Sequence, residues 1–241
     1  MFIKTLAPQD QLISQLVPIM AQASQILLEE YQSYCAGCEF NIQEKSDDSP
    51  VTQADLKINR FLLKHLAEIT PDLPVLSEES DYSARAAWQR CWMLDPLDGT
   101  KEFIHERDEF TINLSLIENS QTTFAIIAVP CEQVMYIGYT SQQPYKYSFS
   151  RQQWSQYQIE QHVAEAAIQI GLSHHSKNPK YKNFIEQILR YREVIRREAG
   201  SAYKFCMMLE GEIDIYPRFH PTSEWDTSSG QAFLESIGGG L

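Results

Sequence analysis

Two aspartates at a short spacing stand out as residues that could do chemistry. Asp95 and Asp98 lie three residues apart in the stretch Asp95–Thr100, directly after the apolar run Cys91–Leu94. The run is typical of a short buried strand, which would deliver Asp95 to its C-terminal end, where the chain must turn. Proline and glycine in the stretch favour a turn, so both carboxylates can face one centre. Hard oxygen ligands at this spacing suit Mg²⁺, Mn²⁺ or Ca²⁺ better than Zn²⁺.

The backbone of the same turn offers further polar groups. The Leu97 carbonyl is expected to lie outside any strand ladder and can also point inward. The N–H groups of Gly99 and Thr100 are candidates to hold a phosphate oxygen. Metal ligands beside such N–H groups predict metal-assisted phosphate chemistry. Taken alone, the stretch fits an ordinary surface turn equally well.

A second group of acids follows a neighbouring strand. Residues 74–77 are typical of a short strand, and it ends in the adjacent glutamates Glu78 and Glu79. Two neighbouring strands would bring these glutamates and Asp95 to one sheet edge, where so much negative charge is stable only if cations neutralise it. A solvated surface pair is the alternative interpretation of the two glutamates.

Two more aspartates fit capping boxes at predicted helix starts. Thr52 with Asp55, and Ser223 with Asp226, have the required spacing, so each carboxylate would satisfy N–H groups of a first helical turn. The functional alternative makes Asp55 a base that orients a metal-bound water, and both roles are compatible. For Asp226, the alternative to a metal ligand is an acid that offsets the helix dipole.

The composition excludes several classes of function. The 241 residues are 43% hydrophobic and 22% charged, as in ordinary globular proteins. A net charge of −12 argues against a nucleic-acid polymer as partner, and an anionic substrate then needs metal cations as intermediaries. No apolar run is long enough for a transmembrane segment. Five scattered cysteines predict a reducing cytoplasm, and we interpret Cys35 and Cys38 as a helix end rather than a redox pair.

The remaining pattern predicts two abutting α+β halves with a boundary near 135–160. The N-terminal half, 1–145, would carry most metal ligands, and the C-terminal half, 146–241, would carry substrate-facing residues and Asp226. The expected helices are 10–34, with a kink or a late start at Pro18, 52–66, 178–190 and 201–209; the expected strands are 74–77, 91–94, 110–117, 122–129, 134–139, 192–197 and 213–216; and 44–50 is expected to be a mobile loop.

Four stretches together resemble the inositol monophosphatase superfamily of lithium-sensitive, metal-dependent phosphatases. They are residues 51–55, 77–80, 95–100 and 225–230, and they occur in the order and spacing of the family over nearly the whole chain. Each stretch alone is weakly specific, but four in register disfavour the surface-turn interpretation of Asp95 and Asp98.

Within the superfamily, the chain most resembles the bacterial CysQ-type 3′(2′),5′-bisphosphate nucleotidases. This narrower resemblance is less specific because its residues lie away from the metal centre. They are residues 101–104, 201–206 and 216–222.

The resemblance implies a fold and a metal centre. The fold would be a layered αβαβα sandwich of the inositol monophosphatase and fructose-1,6-bisphosphatase type, with the site between the halves. Two to three Mg²⁺ ions are implied, with Mn²⁺ as a substitute. Glu78, Asp95 and the Leu97 carbonyl would hold one ion. Asp95, Asp98 and Asp226 would hold a second.

The resemblance also implies catalytic residues. A third, weaker ion near Glu78 would present the attacking water, which Asp55 and Thr100 would orient. This makes Asp55, Thr100 and Glu78 the expected catalytic residues. The expected substrate-binding residues are Gly99, Thr100, Lys101, Ser201, Lys204, Arg218 and Asp226.

The implied reaction removes the 3′-phosphate of adenosine 3′,5′-bisphosphate to give AMP and phosphate. Conversion of 3′-phosphoadenylyl sulfate to adenylyl sulfate is a second implied reaction, and both would serve sulfur assimilation and nucleotide recycling. One alternative is an inositol or sugar phosphate monoesterase. Another is a non-catalytic metal- or nucleotide-binding protein, because family members continue past Gly238–Gly240, and lack of that segment would expose a sheet edge.

The expected partner is a small phosphorylated nucleotide. We expect a monomer or a weak dimer. The cytoplasm is the expected location, and the resemblance adds a peripheral position on the cytoplasmic face of the inner membrane.

Overall fold

An eight-stranded sheet organises the computed structural model, which describes residues 1–45, 49–80, 85, 88–158, 167–174 and 178–240. Apart from this sheet there are a short hairpin and a two-stranded sheet. The strands are β1 (Phe2–Thr5), β2 (Ile42–Glu44), β3 (Pro50–Thr52), β4 (Val75–Ser77), β5 (Arg90–Asp98), β6 (Thr111–Glu118), β7 (Gln121–Val129), β8 (Val134–Tyr139), β9 (Tyr145–Ser148), β10 (Gln153–Tyr157), β11 (Ala167–Leu172) and β12 (Glu193–Glu198). The helices are α1 (Gln11–Cys35), α2 (Gln53–Ile69), α3 (Thr100–Ile104), α4 (Pro179–Ile188), α5 (Tyr203–Glu210) and α6 (Ser228–Ser236).

The strand order in the large sheet is β1-β10-β9-β8-β7-β6-β5-β4. Only β4 pairs in parallel, with β5, and the other neighbours are antiparallel. The predicted meander of β6, β7 and β8 is confirmed. The strands β1, β9 and β10 were not predicted, because short runs such as Tyr145–Ser148 carry too few apolar residues to show a period. The division of the chain at residue 145 stays a prediction.

Helices cover both faces of the large sheet. α1 and α2 bury one face in the main core, which includes Trp92 and Phe124, and α5 and α6 bury the other face, which includes Ile127 and Tyr136. Beyond α5, the parallel pair of β11 and β12 packs with α4 through Ile170 and its neighbours. The order of layers is therefore αβαβα, as expected.

The helix starts follow the predicted capping chemistry. Asp10 caps α1 by accepting the Ile13 N–H at 2.8 Å, so the helix starts at Gln11 and runs through Pro18 to Cys35; the expectation of a late start is wrong. Gly37, with φ of +75°, follows the end of α1. Both halves of the Thr52 capping box are present at α2, and Asn178 caps α4.

One strand prediction and one loop prediction need correction. The segment 213–216 forms only an isolated bridge, between Ile215 and Ile170. The N–H groups of Asp214 and Ile215 both donate to the Gln169 carbonyl, and Pro217, which has no N–H, follows directly. A regular ladder of strand hydrogen bonds therefore does not form. The predicted mobile loop 44–50 lies in part outside the described residues, because 46–48 are not described; Glu44 ends β2 and Pro50 begins β3, and the two strands pair as a hairpin.

Among the described residues, no helix combines the length and hydropathy needed to cross a membrane.

Candidate active site

The chain does not turn at Asp95, as the sequence suggested, but passes through a bulge in β5. Asp95 still pairs with Asn113 and Asp98 with Thr111, and the register shifts between them. Pro96 fits in such a bulge because it has no N–H to contribute to a ladder. The turn comes instead at Gly99, whose φ of +97° is left-handed and starts α3.

Three carboxylates from two elements converge at the end of β5. Asp95 and Asp98 flank the bulge, and Asp226 ends the 3₁₀ turn Glu224–Asp226 just before α6. One carboxylate oxygen of each lies within 4.8 Å of the others. The fold therefore brings together residues that are about 130 positions apart in the chain.

Burial makes this cluster electrostatically strained. Asp95 is only 1% exposed, and burial raises its pKa well above the usual value, with the charges of Glu78 and Asp98 as further causes. Burial also raises the pKa of Asp98 to about 7, and the charge of Asp226 adds to this shift. A divalent cation between these oxygens would favour their ionised form.

Fixed donors orient the cluster from the protein side. One oxygen of Asp98, Oδ2, accepts from the Ala202 N–H at 2.7 Å and from the Asn113 amide at 3.2 Å, and the Ser201 hydroxyl also bonds this carboxylate. Asp226 Oδ2 accepts from the Ser223 N–H at 3.1 Å, which completes the predicted capping box.

Arg218 and Thr222 contact the same oxygen of Asp226 as the Ser223 N–H. The Arg218 guanidinium lies 3.4 Å from Asp226 Oδ2, and the Thr222 hydroxyl donates to the same oxygen. Arg218 also donates to the Tyr216 hydroxyl at 3.1 Å. A cation is therefore already positioned beside the carboxylates, where a second anionic group of a substrate could meet it.

Glu78 lies beside the cluster and is neutralised by a lysine. Lys45 Nζ bridges Glu78 Oε1 at 2.6 Å and Glu79 Oε1 at 2.5 Å. Burial raises the pKa of Glu78, while the hydrogen bond from Lys45 acts in the opposite direction. The parallel pairing of β4 with β5 brings Glu78 to the edge where Asp95 lies, since its N–H donates to the Leu94 carbonyl.

Asp55 and Thr100 contact each other across the site. Asp55 is buried and accepts from the N–H and the hydroxyl of Thr52, at 2.8 and 2.6 Å. Its other oxygen lies 3.2 Å from the Thr100 hydroxyl, which is also 3.2 Å from the Leu97 carbonyl. The cap of α2 and the start of α3 are thereby joined beside the carboxylate cluster. Burial raises the pKa of Asp55, against the effect of these hydrogen bonds.

Two of the predicted substrate residues differ in their exposure to solvent. Lys101 is exposed on α3. Lys204 is fully buried, and its ammonium donates to the carbonyls of Ala199 at 2.7 Å and Gly200 at 2.6 Å. Burial lowers the pKa of Lys204 to about 7. Its substrate-binding role stays a prediction, and in this structure it supports the turn before α5.

The sequence did not single out Lys45 or Asn113 as site residues. A signal for Asn113 exists, because Thr111, Asn113 and Ser115 form a buried polar row with period two in an otherwise apolar strand. No local signal marks Lys45, since its partners are more than thirty residues away.

The donor set fits a hard divalent cation. The carboxylates of Asp95, Asp98 and Asp226, with Glu78 beside them, offer oxygen atoms only, and the described residues include no histidine or cysteine in this group. Oxygen-only sets suit Mg²⁺, Mn²⁺ or Ca²⁺.

Comparison with known sequences identifies relatives over most of the chain. The sequence profile described as the inositol monophosphatase family matches residues 8–241. The 3′(2′),5′-bisphosphate nucleotidase CysQ of Salmonella typhimurium is 35% identical over 214 residues, which cover 86% of this chain and 81% of the relative. The protein of that name from Haemophilus influenzae is 26% identical over 235 residues, covering 96% of this chain and 84% of the relative.

Solved structures share the fold. CysQ from Bacteroides thetaiotaomicron, described as a bacterial member of the inositol monophosphatase family, superposes with a TM-score of 0.75 at 27% identity, covering 95% of this chain and 88% of its own. An inositol monophosphatase of Thermotoga maritima gives a TM-score of 0.76 at 17% identity, covering 95% and 84%, and supports the fold alone. Sequence profile and fold agree that the chain belongs to the inositol monophosphatase family.

Proposed function

We propose that the protein is a Mg²⁺-dependent phosphatase that removes the 3′-phosphate of adenosine 3′,5′-bisphosphate, giving AMP and phosphate. The observation that carries this proposal is the convergence of Asp95, Asp98 and Asp226 within 4.8 Å in a chain that is 35% identical to a 3′(2′),5′-bisphosphate nucleotidase. We also propose 3′-phosphoadenylyl sulfate as a second substrate, because it carries the same 3′-phosphate.

The metal centre would be built from two overlapping ligand sets. Glu78, Asp95 and the Leu97 carbonyl would form one, and Asp95, Asp98 and Asp226 the other, with Mn²⁺ as a substitute ion. Bound Mg²⁺ supplies positive charge for the attacking and leaving oxygens and activates water at neutral pH. Lys45 contacts Glu78 through Oε1 at 2.6 Å, so an ion would bind Glu78 through Oε2 or displace the ammonium.

The protein's own groups would position the nucleophile. One oxygen of Asp55 is bonded to Thr52, and the other accepts from the Thr100 hydroxyl. That second oxygen has a further lone pair, with which it would orient a water molecule and take up its proton. The N–H groups of Gly99 and Thr100 at the start of α3 would hold the phosphate. Phosphate ester hydrolysis depends mainly on such positioning and on charge neutralisation.

Recognition of the second phosphate would fall to Arg218. Its guanidinium already lies beside Asp226 and presents a planar pair of donors, which matches a phosphate group. Ser201 is also near Asp98, and we retain it, with Lys101 and Lys204, as predicted contacts.

The five cysteines are free, which supports a cytoplasmic location; a peripheral membrane position and a monomeric or weakly dimeric state stay predictions.

A substrate panel tests the proposal. Phosphate release with Mg²⁺ should be measured on adenosine 3′,5′-bisphosphate, inositol 1-phosphate and fructose 1,6-bisphosphate at matched concentrations. We expect the highest kcat/KM on the nucleotide. We also expect no activity after a chelator has removed the Mg²⁺. Preference for either sugar phosphate would assign the protein to the sugar phosphate monoesterases instead. No turnover by folded, metal-binding protein would favour a binding protein.

A further inference from the structure

Glu109 lies outside the carboxylate cluster but fits between the two turns that build it. It follows α3 and precedes β6. Its carbonyl oxygen is the nearest atom that a Cβ would meet both at Gly99, at 3.3 Å, and at Gly200, at 2.3 Å. Glycine at these two positions therefore lets the Glu109 backbone pass between the turn before α3 and the turn before α5.

The Glu109 carboxylate binds the second of these turns. Its Oε2 accepts from the Gly200 N–H at 2.8 Å and lies 2.6 Å from His174 Nε2. The other ring nitrogen of His174 lies 3.5 Å from Glu198 Oε2. The partly buried Glu109 carboxylate thus connects the segment before β6 with His174, which follows β11, and with the turn before α5.

The turn held by Glu109 is the turn that orients Asp98. Two residues after Gly200, the Ala202 N–H donates to Asp98 Oδ2 at 2.7 Å. The Gly200 carbonyl is fixed from the other side by Lys204, at 2.6 Å. Gly200 is therefore bonded through both its N–H and its carbonyl, and a short, doubly anchored turn presents the Ala202 N–H to Asp98.

We propose that Glu109 is a positioning residue for the metal centre: its bond to the Gly200 N–H fixes the turn that holds one oxygen of Asp98. This inference rests on the proposed function only in taking Asp98 as a metal ligand. Groups that orient ligands in this way typically change metal affinity about 10- to 100-fold when they are removed. Among the described residues, the Glu109 carboxylate is hydrogen-bonded to Gly200 and His174 and to none of the proposed metal ligands, so it acts through Gly200.

Variants separate the bond to Gly200 from the contact with His174. Glu109→Ala removes both, whereas His174→Ala removes only the contact with the ring and keeps the bond to Gly200. Glu198→Ala removes the second carboxylate beside His174. Glu109→Gln keeps the size of the side chain and one acceptor oxygen. Glu118→Ala is a matched control, because Glu118 lies at the end of β6 and pairs on the surface with Arg90.

The test is the binding of Mn²⁺, followed as loss of the free-ion EPR signal, in the full-length folded proteins without substrate. We expect Glu109→Ala to weaken Mn²⁺ binding about 10- to 100-fold. Glu109→Gln should be intermediate, and Glu198→Ala and Glu118→Ala should bind as wild type does. A loss of thermal stability alone, without a change in metal affinity, would mean a merely structural role and would overturn the inference.

Two further outcomes are decisive. If Glu109→Ala does not fold, Glu109→Leu takes its place, because leucine fills a similar volume but has no acceptor for the Gly200 N–H; unchanged Mn²⁺ affinity in Glu109→Leu overturns the inference. His174→Ala should bind Mn²⁺ as wild type does; if it weakens binding as much as Glu109→Ala, the effect runs through His174 and the Gly200 mechanism is wrong. Because no substrate is present, a failure of the nucleotidase assay in wild-type protein would refute the proposed function and leave this comparison intact.

Discussion

Asp95 is the residue on which the carboxylate cluster depends most. Its side chain is buried, and besides burial four acidic neighbours raise its pKa, namely Glu78, Asp98, Asp226 and Asp55. Within the protein its carboxylate accepts from the Leu97 N–H, at 3.1 Å. A buried carboxylate in such surroundings is stabilised chiefly by cations, and in the proposed function Asp95 would bridge two of them.

Replacement of this bridge should abolish the reaction. We expect Asp95→Asn to lower kcat/KM for adenosine 3′,5′-bisphosphate by at least about 100-fold, because metal charge stabilisation is worth several kcal/mol and each 1.4 kcal/mol is tenfold in rate. Metal binding should weaken in parallel. The exposed Asp72→Asn is the control and should match wild type. Near-normal activity of Asp95→Asn would refute the metal assignment.

At the scale of elements, capping boxes hold two aspartates of the proposed site, Asp55 and Asp226. Thr52 satisfies the first turn of α2 through its hydroxyl, and its own N–H and hydroxyl fix Asp55. Ser223 does the same for Asp226 through its N–H. Each capping box therefore serves the helix start and the orientation of a site carboxylate together, so the structural and functional interpretations of these aspartates do not compete.

A cap that also orients Asp55 should matter for more than stability. We expect Thr52→Ala to cost about 1 kcal/mol of unfolding free energy, as cap losses do. It should also lower kcat, because Asp55 loses the hydroxyl donor on one oxygen. Asp10→Ala removes the cap of α1, far from the site, and should lower Tm with kcat unchanged. Equal kcat losses in the two variants would contradict the positioning of Asp55 by Thr52.

At the scale of the whole molecule, the layers bring distant parts of the chain to one edge. The end of β5, the cap of α2, the turn before α5 and the 3₁₀ turn before α6 meet there. The buried carboxylates gathered by this arrangement oppose folding unless they are protonated or bound to cations. Metal binding and folding stability should therefore be linked.

The pH dependence of stability follows from the sign of the shift at Asp98. Its pKa rises from 3.8 to about 7 on folding, so the folded state binds more protons between these values. The stability that this group contributes is full below about pH 4 and is lost as pH rises through about 7. We therefore expect the metal-free protein to lose Tm as the pH rises from about 4 to about 7, and Mg²⁺ to raise Tm most at the upper end of this range.

Asp98→Asn provides the check on this assignment. The variant cannot ionise at this position, so its metal-free Tm should depend less on pH than that of wild type. Each kcal/mol of unfolding free energy that ionisation of Asp98 costs the wild type corresponds to about 2 to 4 °C in Tm. Scanning calorimetry of chelator-treated proteins measures the difference. An unchanged pH slope in Asp98→Asn would show that other groups cause the dependence.

The sequence by itself determined the chemistry of the site. The spacing of Asp95 and Asp98, the capping boxes at Asp55 and Asp226, and the glutamates after β4 follow local rules, because caps, strand ends and ligand types depend on neighbouring residues. The meander β6–β8 and helices α1, α2 and α4 were predictable for the same reason, since each carries a clear hydrophobic period. The αβαβα layering was implied by the resemblance rather than by any one element.

Only the tertiary structure decided which groups meet. Lys45 reaches Glu78 and Glu79, the Ala202 N–H reaches Asp98, and Glu109 reaches Gly200, across separations of 33 to 104 residues. A backbone N–H has no sequence signature, and an isolated lysine or glutamate is usually predicted to be a surface residue. The direction of Lys204, toward backbone carbonyls, was likewise set by the packing of α5. Contacts of this kind depend on how the layers pack, which no local pattern encodes.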